Sequence, residues 1–303
     1  MQFSVIQTRV AEETGLSVTD DSAKIKSWIN EAYQQLSGFY NWPWLLTNFT
    51  MQTTPDIDTL TASVSAGGTS VTLSSVYATS LASDYMIQFT SVSDDWYTIS
   101  AHTAGTAAVT LANSFNGSTN LTSGTCLIRK VYYSLPSGID RIIDLRQTIS
   151  DAKIEFVDPR SLDRIIPDPS ATGDPLYASL VGMTSTGLWR LSFYPTPSIK
   201  MNLQGRGYTA ITELSGDTEV PLIPAKFHST LVFLALALFG HDYIDDDRVQ
   251  SATRKAKDSI QQMIKESRPV PGQITVIQPW DCRGPRSGLG VRLPSNYPWP
   301  FGV

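Results

Sequence analysis

The sequence predicts an α+β protein in which N- and C-terminal helices form a helical core, a large all-β sandwich or barrel is inserted, and an extended arm ends the chain. Three observations support this prediction. Apolar residues recur at helical spacing near both ends, Ser and Thr dominate a charge-poor middle, and prolines crowd the last 35 residues. The predicted segments are 1–50 (N-terminal helices of the helical core), 51–135 (inserted β domain with two similar units), 136–221 (strand-rich region), 222–268 (C-terminal helices of the helical core) and 269–303 (Pro-rich extended arm).

The N-terminal segment carries the pattern of two amphipathic helices. Apolar side chains repeat at helical spacing from Phe3 to Glu13, and Gly15 ends this first helix. A second helix follows a group of capping residues near Asp20. Its apolar positions are Ile25, Ile29, Tyr33 and Leu36. These residues share one helix face, so each helix needs a partner that covers it.

Residues 51–135 form the predicted β insert. Of these 85 residues 29 are Ser or Thr and only seven are charged, and short alternating apolar runs are separated by turn residues. The run AGGTSVTLSS at Ala66 is echoed by AGTAAVTLANS at Ala104. Each unit alone would leave one hydrophobic face in water, so we expect the two units to pack together. The residues expected to face each other are Val71 and Leu73 in one unit and Val109 and Leu111 in the other.

The last third of the chain before the arm combines strands and helices. Residues 136–221 contain strand-like runs between Pro-rich loops, and Pro224 then suits the first turn of a helix. The apolar run Leu231–Phe239 has nine residues, fewer than the roughly 20 needed to cross a bilayer, so it predicts a buried central helix. A final helix is expected to start at Asp245–Asp247 and to end near Lys265–Arg268, where these charges favour the helix dipole.

The final 35 residues predict an arm that reaches another protein surface. They contain seven prolines, five glycines, three arginines and no lysine. Proline favours an extended chain, and aromatic and Arg side chains are enriched where one surface anchors on another. A disordered tail is the alternative, although it would leave four large aromatic side chains in water. The interaction candidates are Trp280, Arg283, Arg286, Tyr297, Trp299 and Phe301.

No motif in the sequence predicts catalysis, a cofactor or a metal site. His102, His228 and His241 are scattered, and Cys126 and Cys282 lack metal-ligand spacing. The chain has no GxSxG elbow and no GxxxxGK[ST] loop. We therefore expect a non-enzyme without catalytic, cofactor-binding or metal-binding residues.

The charge and the N-terminal sequence exclude several classes of protein. A net charge of -5 and a pI near 5.2 give no basic surface for general capture of nucleic acid. The first residues lack the basic and apolar regions of a signal peptide, so we expect no export signal and no membrane partner. The isolated Gly205-Arg206-Gly207 lies in strand-like sequence and does not predict a phosphate loop.

One pair of carboxylates raises a glycan-binding alternative. Asp94 and Asp95 precede Trp96 and Tyr97, and carboxylates flanked by aromatic side chains occur in carbohydrate clefts. Adjacent residues on a strand point to opposite faces, which argues against two cooperating carboxylates. A turn followed by a strand is therefore the preferred interpretation of this sequence.

Three stretches of the sequence resemble the head-to-tail adaptor (connector, neck) proteins of tailed bacteriophages. They are IKSWINEAYQQLSGFYNWPWL at Ile25–Leu45, DPLYASLVGMTSTGLWRLSFYPTP at Asp174–Pro197 and LIPAKFHSTLVFLALALFG at Leu222–Gly240. The resemblance implies a structural protein of the virion neck, assembled in the host cytoplasm. It further implies a homo-oligomeric ring of about twelve copies that contacts the portal and the tail or neck proteins, with genomic DNA passing through its lumen without sequence-specific binding. The alternative function is a receptor- or glycan-binding tail module that uses the β insert.

Overall fold

The computed structural model describes residues 1–92, 94–149, 152–165, 171–242 and 247–267. Within these ranges most regular elements are strands. The helices are α1 (Phe3–Thr14), α2 (Ser22–Phe39), α3 (Pro159–Ile165), α4 (His228–Asp242) and α5 (Asp247–Ser267). The strands are β1 (Leu46–Gln52), β2 (Thr61–Val64), β3 (Ser70–Tyr77), β4 (Tyr85–Gln88), β5 (Trp96–His102), β6 (Thr106–Leu111), β7 (Leu121–Thr125), β8 (Leu127–Lys130), β9 (Tyr132–Ser134), β10 (Ile139–Gln147), β11 (Lys153–Phe156), β12 (Tyr177–Met183), β13 (Trp189–Tyr194) and β14 (Asn202–Thr209).

The predicted fold class is wrong. The sequence predicts an α+β protein organised around a helical core, whereas the described chain is mostly β and consists of two seven-stranded sheets with few helices. The amphipathic pattern of a helix is strong and local, and it therefore predicts helices more readily than strands. Strand pairing depends on partners far away in sequence, and the pattern along one strand does not reveal them.

The first sheet joins strands from distant parts of the chain in the order β1-β14-β10-β11-β12-β13-β9. β1 and β14 are antiparallel over seven consecutive residue pairs, from Leu46 with Tyr208 to Gln52 with Asn202. The short β11 connects the two halves of the sheet, antiparallel to β10 and parallel to β12. Buried apolar residues of this sheet form a core of their own, which includes Leu145, Leu191 and Leu203.

The second sheet has the order β7-β2-β3-β6-β5-β4-β8. Its edge strands β7 and β8 are consecutive in the chain and separated only by Cys126, and a bridge joins Ile57 to Ile128. The sheet is therefore curled, and the chain joins its two edge strands at Cys126. Its interior is a separate hydrophobic core that contains Phe89 and Phe115.

The two echoed runs lie side by side at the centre of this sheet. β3 and β6 are antiparallel, and Val71 is directly opposite Val109, both of them buried. Gly67 and Gly105 hold corresponding turn positions before these strands, with φ of 70° and 78°, which a side chain disfavours. One unit consists of β2, β3 and β4, and the other of β5, β6 and β7. The third strand of each unit pairs with the first strand of the other unit, since β4 pairs with β5 and β7 pairs with β2.

The helices form one further cluster, in which α4 contacts α1, α2 and α5. Leu231 and Ala235 of α4 are completely buried, and Trp28 of α2 meets Phe239 edge to face at 5.5 Å. The final helix starts at Asp247 in the structure, and the predicted start residues Asp245 and Asp246 lie outside the described residues. In the part of the chain that the structure describes, no helix combines the length and apolar character needed to span a bilayer.

Candidate interaction surfaces

The six interaction residues predicted in the arm lie outside the described residues, so the structure does not place them. They are Trp280, Arg283, Arg286, Tyr297, Trp299 and Phe301. The candidate surfaces that follow are therefore built from the two sheets and from the helices.

A buried ion pair holds the link between β1 and β2 against the second sheet. Arg129 on β8 donates from Nε to both carboxylate oxygens of Asp56, at 3.1 and 3.0 Å, and from Nη2 at 2.7 Å. The two side chains are only 10% and 13% exposed. The guanidinium also lies over the ring of Trp96, with its Cζ 4.9 Å from the ring centroid. Bidentate contacts between desolvated groups of this kind hold the two side chains in one geometry and also pair their charges.

A second Arg–Asp pair connects the two sheets. The carbonyl oxygen of Asp84 accepts hydrogen bonds from the backbone N–H of Val131 at 2.8 Å and of Tyr132 at 3.2 Å. Its carboxylate pairs with Arg190 of β13, whose guanidinium lies 4.5 Å from the centroid of the Tyr132 ring. Asp84 precedes β4 of the second sheet, while β13 and β9 belong to the first, so this residue joins both.

Lys130 lies between two tyrosine rings at the same junction. Its Nζ is 5.5 Å from the ring centroid of Tyr85 and 5.1 Å from that of Tyr133. Burial lowers the pKa of Lys130, an effect that the nearby Asp84 carboxylate opposes. Burial also raises the pKa of Tyr133 to about 12, and its hydroxyl accepts from the Thr54 N–H at 3.3 Å. The junction thus combines paired charges with aromatic rings, and these contacts orient one sheet against the other.

Gly205-Arg206-Gly207 on β14 has a packing role in the sheet. The ring of Phe49 covers Gly205, and a Cβ there would lie 2.4 Å from the Phe49 Cζ. A Cβ on Gly207 would lie 2.5 Å from the carbonyl oxygen of Arg141. Between them, Arg206 donates from Nε to both carboxylate oxygens of Asp144, and these hydrogen bonds lower the pKa of Asp144. The missing side chain of Gly205 therefore leaves room for the Phe49 ring, and that of Gly207 leaves room for the backbone of β10.

β1 is a long strand at the edge of the first sheet, and it was not among the surfaces predicted from the sequence. The Thr53 N–H donates to the Met201 carbonyl at 3.0 Å, so the backbone groups of odd-numbered β1 residues face β14. By the alternation of a strand, the N–H and C=O groups of Asn48, Thr50 and Gln52 face away from it. The signal that could have revealed this strand is LTNFTMQ, an alternating run directly after Trp-Pro-Trp.

The end of the β12–β13 hairpin exposes apolar side chains. Leu180, Val181 and Met183 are 41%, 39% and 52% exposed. The register of β12 with β13 shifts between Leu180 and Gly182, and the φ angle of Gly182 is 132°. A bulge of this kind increases the twist of a strand and interrupts its edge. This hairpin end is therefore a second apolar surface, but its edge is less regular than that of β1.

Three of the histidines and carboxylates considered in the sequence, His102, His228 and Asp95, have structural partners. His102 is buried, its Nδ1 accepts from the Leu81 N–H at 3.2 Å, and its Nε2 lies 3.1 Å from the Thr106 carbonyl. Asp95 accepts from the Asn116 amide at 2.7 Å in the turn before β5. His228 is buried beside the Ile223 carbonyl, and the side chain of His241 lies outside the described residues. Among the residues that the structure describes, no group of three or more His, Cys, Asp or Glu could hold a metal ion.

Two small clefts lie beside the helices. One of about 140 Å³ is lined by Phe233, Leu236 and Phe239 of α4 and by residues of α5. The other, of about 170 Å³, lies where the end of α2 meets Arg141 and Tyr208. Both are smaller than the roughly 300–1,000 Å³ typical of ligand pockets. Extended surfaces are therefore better candidates for function than these clefts.

Comparison with known proteins gives one family. The sequence profile of the family described as SU10 adaptor protein matches residues 105–275, which is more than half of the chain. The match extends from the β5–β6 turn through the rest of both sheets to beyond α5. No curated protein matches the sequence significantly.

Proposed function

Because the chain belongs to the SU10 adaptor protein family, a family of phage adaptors, we propose that it is the structural head-to-tail adaptor of a tailed bacteriophage. In this proposal it forms a ring of about twelve copies below the portal, joins the head to the tail and lets DNA pass. It is a component of the virion neck that is assembled in the host cytoplasm. Its partners are further copies of itself, the portal and the tail or neck proteins.

The observation that carries the proposal is the extent of the family match. Residues 105–275 include six of the seven strands of the first sheet, three of the seven strands of the second and the closing helices α4 and α5. The match therefore concerns the architecture of the chain and not a short motif. A family of adaptors also supports a structural role without catalysis.

The physical properties of the chain are compatible with a ring through which DNA passes. A ring of identical subunits needs heterologous interfaces, in which one surface of a copy meets a different surface of the next. The chain offers such different surfaces in the edge of β1 and in the exposed end of the β12–β13 hairpin. A net charge of -5 also suits a conduit, since a cationic lining would hold the phosphates of DNA.

The alternative is a tail module that binds a receptor or glycan through the second sheet. The carboxylates that suggested it lie in a turn, where Asp95 is hydrogen-bonded to Asn116 and the Asp94 carbonyl accepts from Gln88. These contacts support the turn and give the glycan-binding alternative no further argument.

Negative-stain electron microscopy of the purified full chain, alone and mixed with portal, tests the proposal. Rings that cap the portal are the expected result. Trimers or spikes that ignore the portal would support the receptor-binding alternative and contradict the adaptor. A chain that remains monomeric at high concentration, with and without portal, would also contradict the ring.

A further inference from the structure

We infer that the open edge of β1 binds a β-strand from a second copy of this chain, formed by residues 273–278, whose sequence is QITVIQ. This inference deepens the proposed function and rests on it, because it names the contact between neighbouring copies of the ring.

The edge of β1 lacks the features with which proteins normally protect an edge strand. Its sequence, LTNFTMQ, contains no charged residue, no proline and no glycine. Its register with β14 runs over seven consecutive pairs without a shift, so no bulge twists it away. Long, regular and uncharged edges are templates for pairing with another strand. By contrast, the edge strand β9 at the other end of this sheet has only three residues.

The edge presents a full row of backbone groups. The N–H and C=O groups of Asn48, Thr50 and Gln52 face away from β14, as the Thr53 to Met201 hydrogen bond establishes. Added strands bind through such main-chain groups, while alternate side chains supply the specificity. On one face of β1, Phe49 and Met51 are buried in the core of the first sheet. An added strand would extend the same face.

The chain beyond α5 offers a matching strand. It continues for 36 residues after Ser267, and residues 274–277 are four consecutive β-branched side chains, ITVI. Segment 273–278 has no charge, proline or glycine, like β1 itself. β-branched residues favour the extended backbone that an edge requires. The rest of the chain after α5 is rich in proline and glycine, so this segment is its best strand former.

The position of the segment favours a second copy as the acceptor. α5 lies against α4, and Glu266 in its last turn pairs with Lys226, whereas β1 pairs with β14. Pro269 and Pro271 in the five-residue link favour an extended chain, which spans at most about 18 Å. An extended link would carry the segment up to that distance beyond the end of α5. In a head-to-tail ring, the edge of β1 in the next copy would receive it.

A proline substitution in β1 tests the edge without disturbing the sheet. The N–H of Thr50 faces outward, so Thr50→Pro removes a donor from the open edge and keeps the ladder with β14. Thr50→Ala is the matched control, because it removes the same exposed side chain and retains the N–H. In sedimentation experiments on the full chain, we expect Thr50→Pro to weaken self-association at least tenfold relative to Thr50→Ala, with similar melting of both monomers. Equal self-association of the two variants would overturn the inference.

Disulfide cross-linking between engineered cysteines identifies the segment that binds to the edge of β1. In a Cys282→Ser background, with the buried Cys126 left in place, Thr50→Cys is combined with Thr275→Cys or with Val276→Cys. Oxidation of the full chain should give disulfide-linked dimers and higher oligomers on a non-reducing gel for one of the two pairs. A link within single chains would show that the segment binds its own β1 and would overturn the second-copy assignment. Failure of both pairs to cross-link would overturn the edge site itself.

These results are distinguishable from failure of the proposed function. Portal-capping rings that persist unchanged in Thr50→Pro would leave the adaptor proposal standing and remove this inference. Cross-linked chains that never form rings or bind portal would support the strand contact and contradict the adaptor.

Discussion

The ring of Phe49 on β1 lies directly over Gly205 on β14, and the two residues are partners in the register of these strands. The ring occupies the space that a side chain on Gly205 would need. This contact favours the observed register of two strands about 150 residues apart in sequence, because the ring needs a position on β14 that has no side chain.

Gly205→Ala should destabilise the first sheet. Its Cβ would lie 2.4 Å from the Phe49 ring, so the ring or the strand must move, and overpacking of this kind costs about 1–3 kcal/mol. Urea denaturation of the purified chain measures the change in the free energy of unfolding. The control is Gly38→Ala in α2, where a Cβ meets nothing within 4 Å and a small gain of up to about 1 kcal/mol is expected. Equal effects of the two substitutions would contradict the packing argument.

The buried ion pair at the junction predicts non-additive energetics. Asp56→Asn alone leaves the Arg129 guanidinium buried without its counter-charge, and breaking a buried pair in this way costs about 3–5 kcal/mol. The double variant Asp56→Asn with Arg129→Met should cost less than Asp56→Asn alone, because no uncompensated charge remains. The measurement is a double-mutant cycle by urea denaturation. Additive effects would show that the pair does not act as a unit.

His102, at the end of β5, should contribute to stability, in contrast to the exposed Asp94 before β5. His102 is buried, and its ring connects the Leu81 N–H to the Thr106 carbonyl, so His102→Ala leaves buried polar groups without partners at about 1–3 kcal/mol. Asp94→Ala removes an exposed side chain and should change stability by less than about 0.5 kcal/mol. Thermal denaturation followed by circular dichroism compares the two. A larger effect of Asp94→Ala would point to a role for this residue that the turn does not explain.

Stability should fall in mild acid because of His228. Burial is the main cause that lowers the pKa of this histidine from its usual 6.5, and its Nε2 is 2.8 Å from the Ile223 carbonyl. A lowered folded-state pKa means that the unfolded chain binds the proton first as the pH falls below 6.5. The contribution of neutral His228 to the free energy of unfolding is therefore complete above pH 6.5. It is lost as the pH falls toward the folded-state pKa, at up to about 1.4 kcal/mol per pH unit. His228→Gln should flatten this dependence between pH 7.5 and 5.5. An unchanged slope in the variant would assign the acid sensitivity to other groups.

Truncation after Arg268 tests the arm, which remains a prediction. All helices and strands of the described residues end before this point, so the truncated chain should melt near the temperature of the intact chain. Ring formation and portal binding should weaken, since anchors such as Trp280 or Trp299 can each contribute about 2 kcal/mol or more. Co-sedimentation with portal measures the loss. A truncated chain that completes virions as well as the intact one would show that this segment is only a disordered end.

The sequence predicts local structure better than architecture. Helices were expected from Phe3 and across Leu231–Phe239, and α1 and α4 occupy these positions, because helical spacing is a short-range signal. The prediction of the fold class was wrong because β1 pairs with β14, which is distant in sequence, and no pattern within LTNFTMQ indicates that partner. Of the candidate surfaces, the arm was predicted but lies outside the described residues. The β1 edge was missed because an edge is a property of a completed sheet.

The exchange of third strands between the two halves of the second sheet has a kinetic consequence. β2 can complete its pairing only with β7, which the ribosome delivers roughly 60 residues later, about 3–12 s at ordinary rates of synthesis. During that interval β2 and β3 are an unfinished hairpin with an apolar face in water. Folding of this sheet is therefore non-local and slow compared with that of the helices. A cell that makes this chain would therefore carry the greatest risk of misfolding in this sheet, before β7 is available to complete it.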